Sequence, residues 1–189
     1  VHVILFLREP LACLTSWHEQ FSSKRGRETI SRNFLDTYET SWKIRSYAME
    51  QQIPITHYIY ESLRGNRAEL VVENLFARLG INPAIAVTRG WSLLPKFGEL
   101  GSNISYSPEP EIYAGGFHNV AESADSLIFL PKNKAKIDQE LTEAEFLEIG
   151  ERGIFDIYNK AVTLSRTDLN VAILDNQEPF EYMQRHDLD

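Results

Sequence analysis

An arginine and a serine that stand eight residues apart could together bind a phosphate group. Arg8 follows the apolar run of residues 2–7, and Ser16 lies on the helix predicted next. An arginine at the carboxyl end of a parallel strand stands where α/β folds bind ligands, and its planar guanidinium suits a phosphate. Eight helical residues rise about 12 Å, but Arg8 precedes the helix and has a long side chain, so both groups could meet one phosphate. The alternative is a structural salt bridge for Arg8 and a solvated surface serine.

Histidines and lysines are the next candidates. His18 shares the apolar stripe of its helix and His57 alternates with isoleucines along a strand, so both are predicted to be core histidines. No Cys/His spacing suggests a metal site, and no Gly-x-Ser-x-Gly turn is present, although a Ser-His-Asp arrangement stays open. Three lysines are predicted to form a solvated basic face: Lys132, Lys134 and Lys136.

The surrounding pattern predicts the elements that would position these residues. Residues 2–7 suit a strand buried on both faces, as in a parallel sheet, and Pro10 suits the first turn of a helix that reaches about Ser22. Gly80 suits the position just past a helix end. Further elements are predicted at about 30–51 (helix), 55–60 (strand) and 66–79 (helix). This β-α-α-β-α order predicts a layered α/β fold.

The second half of the chain is less regular. Periodicity fades over residues 82–140, and an irregular segment of that length is predicted to be functional loop with short elements. A capping box, Thr142-x-x-Glu145, predicts a closing helix over about 141–166, followed by an acidic tail over 167–189. The closing helix is predicted to bury Phe146, Ile149, Gly153, Ile157 and Ala161. The whole chain, 1–189, is predicted to be a single domain.

Composition limits the partners and the compartment. The net charge of −8, with no long Lys/Arg run, argues against a nucleic-acid polymer as partner. The single cysteine, Cys13, cannot form an intrachain disulfide, which favours a reducing compartment, and we expect a cytoplasmic protein. No apolar run approaches the roughly 20 residues that span a bilayer, so no transmembrane segment is expected. The sequence leaves the oligomeric state open.

Two segments resemble a known family. Residues 3–21, VILFLREPLACLTSWHEQF, resemble the 3′-phosphate-binding motif of sulfotransferases that use 3′-phosphoadenosine-5′-phosphosulfate (PAPS). That motif joins a buried strand, an Arg-acid-Pro turn and a helix with a serine eight residues after the arginine. Residues 55–81 look like the family's strand ending in Tyr-Glu-x-Leu, here YESL at 60–63, and its helix ending in Leu-Gly. The two blocks cover roughly the first 80 residues.

The resemblance implies a function and a set of contacts. The expected fold is a three-layer α/β sandwich with a parallel central sheet, related to P-loop NTPases. PAPS would be the co-substrate, without a metal, and a sulfuryl group would pass to a hydroxyl or amine of a small-molecule or glycan acceptor. Arg8 and Ser16 would bind the 3′-phosphate and Tyr60 the adenine, although Tyr60 could instead be a core tyrosine. Residues 82–140 would shape the acceptor site, where His118 could contact the acceptor.

The sequence also departs from the family pattern. It contains no P-loop-like phosphosulfate segment and no carboxyl-terminal Arg-Lys-Gly element, and the usual base lies ahead of the arginine motif. We therefore expect an amino-terminal part upstream of Val1, leave the catalytic base unassigned, and expect no catalysis from this chain alone. Two other hypotheses stay open: a non-catalytic nucleotide-binding or interaction module, and a P-loop-type nucleotide kinase, against which the missing Walker loop counts.

Overall fold

A computed structural model describes residues 1–63, 68–85 and 134–170. The strands are β1 (Val3–Leu7) and β2 (Ile55–Ile59), and 3₁₀ turns follow at Tyr60–Leu63 and Pro83–Ile85. The α-helices are α1 (Pro10–Phe21), α2 (Arg27–Glu50), α3 (Ala68–Arg78), α4 (Lys134–Glu140), α5 (Glu143–Glu151) and α6 (Ile154–Leu169). The described part is thus mixed α/β, with six helices and a two-stranded parallel sheet, as the α/β prediction requires.

The connection between the two strands is an antiparallel helix pair. Pro10 occupies the first turn of α1, and the Glu9 side chain caps the helix by accepting the backbone N–H groups of its first turn. α2 then runs back along α1. Ser31, early in α2, contacts His18 near the end of α1, whereas the Tyr38 hydroxyl, further along α2, donates to the Arg8 carbonyl ahead of α1.

Helix α6 lies along β2 and runs in the opposite direction. Tyr158 bonds to Glu61 just beyond the carboxyl end of β2, and Asp168 bonds to His57 in the middle of the strand. These two bonds, ten residues apart on α6, fasten the helix to β2 and to the turn that follows the strand.

The main core lies on one face of the sheet. Leu5, Leu7 and Ile59 point to it and pack with buried side chains of the helices, among them Leu14, Ile30, Phe34, Leu35, Ile149, Ile154 and Ala161. The prediction that β1 is buried on both faces is wrong for the described residues, because Ile4 and Phe6 are 44% and 51% exposed. On that second face α3 lies over β2, where Val71 and Leu75 pack with Tyr58.

The helix predictions need two corrections. The sequence spacing predicts one buried face of α2, formed by Leu35, Tyr38, Trp42 and Met49. Met49 is exposed, however, and its neighbour Ala48 is buried. The single closing helix is in fact two, α5 and α6, separated at Gly153, whose φ of 65° is left-handed. In α6 Ala161 is buried as predicted, whereas Ile157 is half-buried and its neighbour Tyr158 is buried.

Two predicted helix signals are confirmed. Thr142 and Glu145 form the reciprocal capping box at the start of α5. Gly80 has a φ of 72°, and the N–H groups of Gly80 and Ile81 bond to the carbonyls of Ala77 and Phe76, which is a complete Schellman motif. None of the described helices combines the length and apolarity needed to cross a membrane.

Replacing Gly153 with alanine should destabilise the protein by about 1 kcal/mol, because a side chain is strained at positive φ. Space is not the cause, since a Cβ at Gly153 would meet nothing within 4 Å. Gly150 is the matched control: it is exposed within α5 and equally open to a Cβ, so Gly150→Ala should stabilise by about 0.5–1 kcal/mol. Urea unfolding measures both. A Gly153→Ala protein as stable as wild type would contradict the assigned backbone.

Candidate functional site

The parallel pairing brings two turns to the same edge of the sheet. Leu7, the last residue of β1, is in register with Ile59, the last residue of β2. Arg8 and Tyr60, which directly follow these residues, therefore lie side by side at the carboxyl ends of the strands. In open α/β sheets this edge is where ligands bind.

Arg8 and Tyr60 are in direct contact. The guanidinium carbon of Arg8 lies 4.7 Å from the centre of the Tyr60 ring, which is a cation–π arrangement. Phe6 supports the ring from the sheet with an edge contact at a centroid distance of 6.3 Å. Both residues are half-buried. The structure thus brings together two of the three residues predicted to bind a nucleotide.

Ser16, the third predicted residue, lies two turns along α1 and is half-buried. Six helical steps, a rise of about 9 Å, separate Ser16 from Pro10, and Arg8 precedes Pro10 by two residues. His118, the predicted acceptor contact, and Lys132 lie outside the described residues. Lys134 and Lys136 lie on α4 and form ion pairs with Asp138, Glu19 and Glu140, so acidic side chains accompany both lysines.

Glu9 and Glu61 directly follow the candidate ligand residues Arg8 and Tyr60 in the sequence. The sequence analysis assigned neither glutamate to the site. The carboxylate of Glu9 accepts the N–H groups of Leu11 and Ala12 at 3.0 and 2.6 Å. The carboxylate of Glu61 accepts the N–H of Glu9 at 3.0 Å. The signal was available, because Arg8-Glu9 and Tyr60-Glu61 end adjacent parallel strands.

Burial makes this corner unfavourable for negative charge. It raises the pKa of the Glu9 carboxyl to about 7, although the two backbone N–H groups pull it down. Burial likewise raises the pKa of Glu61, although its hydrogen bonds and the charge of Arg8 act to lower it. The pKa of the Cys13 thiol rises to about 12, again by burial, so Cys13 is protonated at neutral pH and is unsuited to nucleophilic attack.

A second polar cluster joins α1, α2 and α5 around Glu145. One oxygen of Glu145 lies 2.8 Å from His18 Nε2 and accepts the Ser31 hydroxyl at 2.6 Å, and Arg27 pairs with the other oxygen. Burial opposes the ionisation of Glu145, but the hydrogen bonds from Arg27 and Ser31 outweigh it and hold the pKa at about 2. The pKa of His18 is lowered, chiefly by burial.

This cluster lacks the geometry of a hydrolytic triad. In a triad the serine and the carboxylate bond to different ring nitrogens of the histidine, so that a proton can pass through the ring. Here Ser31, at 3.5 Å, and Glu145 both approach Nε2 of His18, and Nδ1 is buried without a partner among the described residues. A groove of about 400 Å³ beside the cluster is lined by both signs of charge, including Arg27, Arg32 and Glu148. The cluster fastens α5 to the helix pair.

A third cluster fastens the end of α6 to β2. Asp168 Oδ2 accepts the backbone N–H of His57 at 2.9 Å and its ring Nδ1–H at 2.7 Å, while Arg45 donates to Nε2 at 3.0 Å. With Nε2 accepting and Nδ1 donating, the ring is neutral, in line with the lowering of its pKa by burial. Both predicted core histidines are thus buried. The described residues contain no cluster of potential metal ligands.

Comparisons with protein-family models, with curated proteins and with solved structures find no match. The geometry at the sheet edge and the motif resemblance are therefore the grounds for a functional proposal.

The stability of the protein should fall as the pH rises from 4.5 to 7. Folded Glu9 keeps a proton up to about pH 7, which an unfolded glutamate releases near pH 4.5, so its contribution is complete below 4.5 and is lost by about 7. The loss amounts to about 3 kcal/mol. In the Glu9→Gln variant the side chain cannot ionise, so the free energy of unfolding should change less between pH 4.5 and 7. Urea unfolding at several pH values measures this dependence.

Glu145→Gln is the matched contrast, because the pKa of the Glu145 carboxyl is lowered whereas that of Glu9 is raised. The stability from Glu145 is present above pH 4.5 and is lost as the pH falls towards 2. The Glu145→Gln variant should therefore reduce the pH dependence of the free energy of unfolding only below pH 4.5. An unchanged slope between pH 4.5 and 7 in Glu9→Gln would mean that another group causes that slope.

Proposed function

We propose that this chain forms the nucleotide-binding part of a PAPS-dependent sulfotransferase with a three-layer, P-loop-like α/β fold, acting in the cytoplasm. In this proposal Arg8 and Ser16 bind the 3′-phosphate of the co-substrate, and Tyr60 lies against its adenine. One observation carries the proposal: the Arg8 guanidinium lies 4.7 Å from the centre of the Tyr60 ring, where two adjacent parallel strands end.

This pairing suits a nucleotide that has a phosphate on its ribose. Such a ligand presents a dianion and an aromatic base on one sugar, and a guanidinium beside an aromatic ring offers a partner for each. The N–H groups of Leu11 and Ala12 at the start of α1 already bond to Glu9, so in this proposal the positive charge for the phosphate at this corner comes from Arg8. The raised pKa of Glu9, about 7, leaves its carboxyl partly protonated at neutral pH and reduces the repulsion of an anion.

The proposed reaction assigns a positioning task to these residues. An oxygen or nitrogen of the acceptor forms a bond to sulfur, and the bond from sulfur to the 5′-phosphate oxygen breaks, with its electron pair leaving on adenosine 3′,5′-bisphosphate. The proton of the acceptor passes to a base. The rate of such a transfer depends on in-line placement and on stabilisation of the leaving phosphate. Arg8 and Tyr60 would hold the nucleotide in place, and the base and the small-molecule or glycan acceptor are unassigned.

Arg8→Ala should weaken the binding of adenosine 3′,5′-bisphosphate by roughly 10- to 150-fold in calorimetric titration, the equivalent of one charge-assisted hydrogen-bonded pair. It should leave the affinity for adenosine 5′-monophosphate, which lacks the 3′-phosphate, nearly unchanged. Tyr60→Leu should instead weaken both ligands by a similar factor, because both contain the base.

Arg45→Ala is the matched control. Arg45 also stacks on an aromatic ring, at 4.6 Å from the centre of Trp42, but it bonds to His57 in the middle of β2 and not at the sheet edge. Its removal should leave both affinities as in wild type. Failure of the wild-type chain to prefer the bisphosphate over the monophosphate would refute the proposed 3′-phosphate site.

A further inference from the structure

The peptide unit between Arg8 and Glu9 is held from both sides. Its carbonyl, on Arg8, accepts the hydroxyl of Tyr38 from α2. Its N–H, on Glu9, donates to Glu61 Oε1 at 3.0 Å. Because the C=O and N–H of a trans peptide point in opposite directions, these two bonds together restrain the plane of the peptide and with it the direction in which Arg8 leaves the backbone.

Glu61 connects this peptide to two other elements. It follows Tyr60 in the turn after β2, so the bond to Glu9 joins the turns that carry the two candidate ligand residues. Its second oxygen accepts the Tyr158 hydroxyl of α6 at 2.8 Å. One carboxylate therefore links the end of β1, the end of β2 and the long helix behind them.

We propose that Glu61 is a positioning residue: by holding the Arg8–Glu9 peptide and Tyr158 at once, its carboxylate keeps Arg8 stacked on Tyr60 and thereby sets the affinity of the site for a 3′-phosphate. The link to phosphate affinity rests on the function proposed above, whereas the link to the Arg8–Tyr60 stack does not. A site that is held in its binding geometry before the ligand arrives loses less conformational freedom on binding.

The stack can be measured without any ligand. The ring current of Tyr60 shifts the NMR signals of the Arg8 side chain upfield, and Tyr60→Leu gives the value without the ring. Glu61→Ala should remove most of this shift, whereas Glu61→Gln, which has an oxygen for Glu9 N–H and a polar group for Tyr158, should largely retain it. If Glu61 contributed only to the stability of the fold, the NMR shift of the Arg8 side chain would not depend on the hydrogen bonds of Glu61.

Asp168→Ala is the matched control for the loss of a half-buried carboxylate that joins α6 to the sheet. Asp168 also joins α6 to a backbone N–H of β2, that of His57, but it does so away from the sheet edge. The Asp168→Ala substitution should lower the melting temperature and leave the NMR shift of the Arg8 side chain unchanged. If Glu61→Ala does not fold, Tyr158→Phe decides: a reduced Arg8 shift supports the proposal and an unchanged one overturns it.

Titration with adenosine 3′,5′-bisphosphate then tests the consequence for binding. Glu61→Ala should bind about tenfold more weakly than wild type, and the same change should have less than a twofold effect in an Arg8→Ala background, because no guanidinium is left to position. Equal losses in both backgrounds, or a folded Glu61→Ala protein with the wild-type Arg8 shift, overturn the positioning role. Absence of bisphosphate binding by the wild type refutes the proposed function alone, since the NMR result stands without a ligand.

Discussion

One peptide unit, between Arg8 and Glu9, is the point on which the candidate site depends. It lies where β1 ends and α1 begins, and its two polar groups are bonded to side chains from α2 and from the turn after β2. A buried peptide group without a partner costs free energy, so both bonds are needed for stability as well as for orientation. The direction of the Arg8 side chain is thus a consequence of how the surrounding elements satisfy the backbone.

At the same corner of the sheet the Arg8 guanidinium lies near the carboxyl groups of Glu9 and Glu61, and burial disfavours the ionised form of both carboxyls. Glu9 caps α1 and Glu61 bonds two elements, so both carboxyls have structural tasks. Burial raises the pKa of each. Arg8, half-buried over Tyr60, is therefore close to Glu9, whose pKa of about 7 leaves its carboxyl partly protonated near neutral pH, so that a bound anion would meet less repulsion than a fully charged carboxylate would produce.

Three carboxylates, of Glu61, Glu145 and Asp168, fasten the helices of the carboxyl-terminal half to the amino-terminal half. Glu61 binds α6 to the turn after β2, Asp168 binds α6 to the middle of β2, and Glu145 binds α5 to α1 and α2. Each contact joins residues about a hundred positions apart in sequence. Their common consequence is that the sheet edge with Arg8 and Tyr60 is supported by a helix that lies far along the chain.

Local patterns in the sequence determined the positions of the two strands, the proline start of α1, the Schellman end of α3 and the capping box of α5, because each depends on neighbouring residues. They also placed Arg8 and Tyr60 at strand ends. Only the tertiary structure decided the break at Gly153, which a continuous apolar stripe conceals, and the exposure of Ile4 and Phe6. It alone brought Glu61, Tyr38 and Tyr158 to one peptide, since contacts between residues distant in the chain follow from packing and leave no periodic signal.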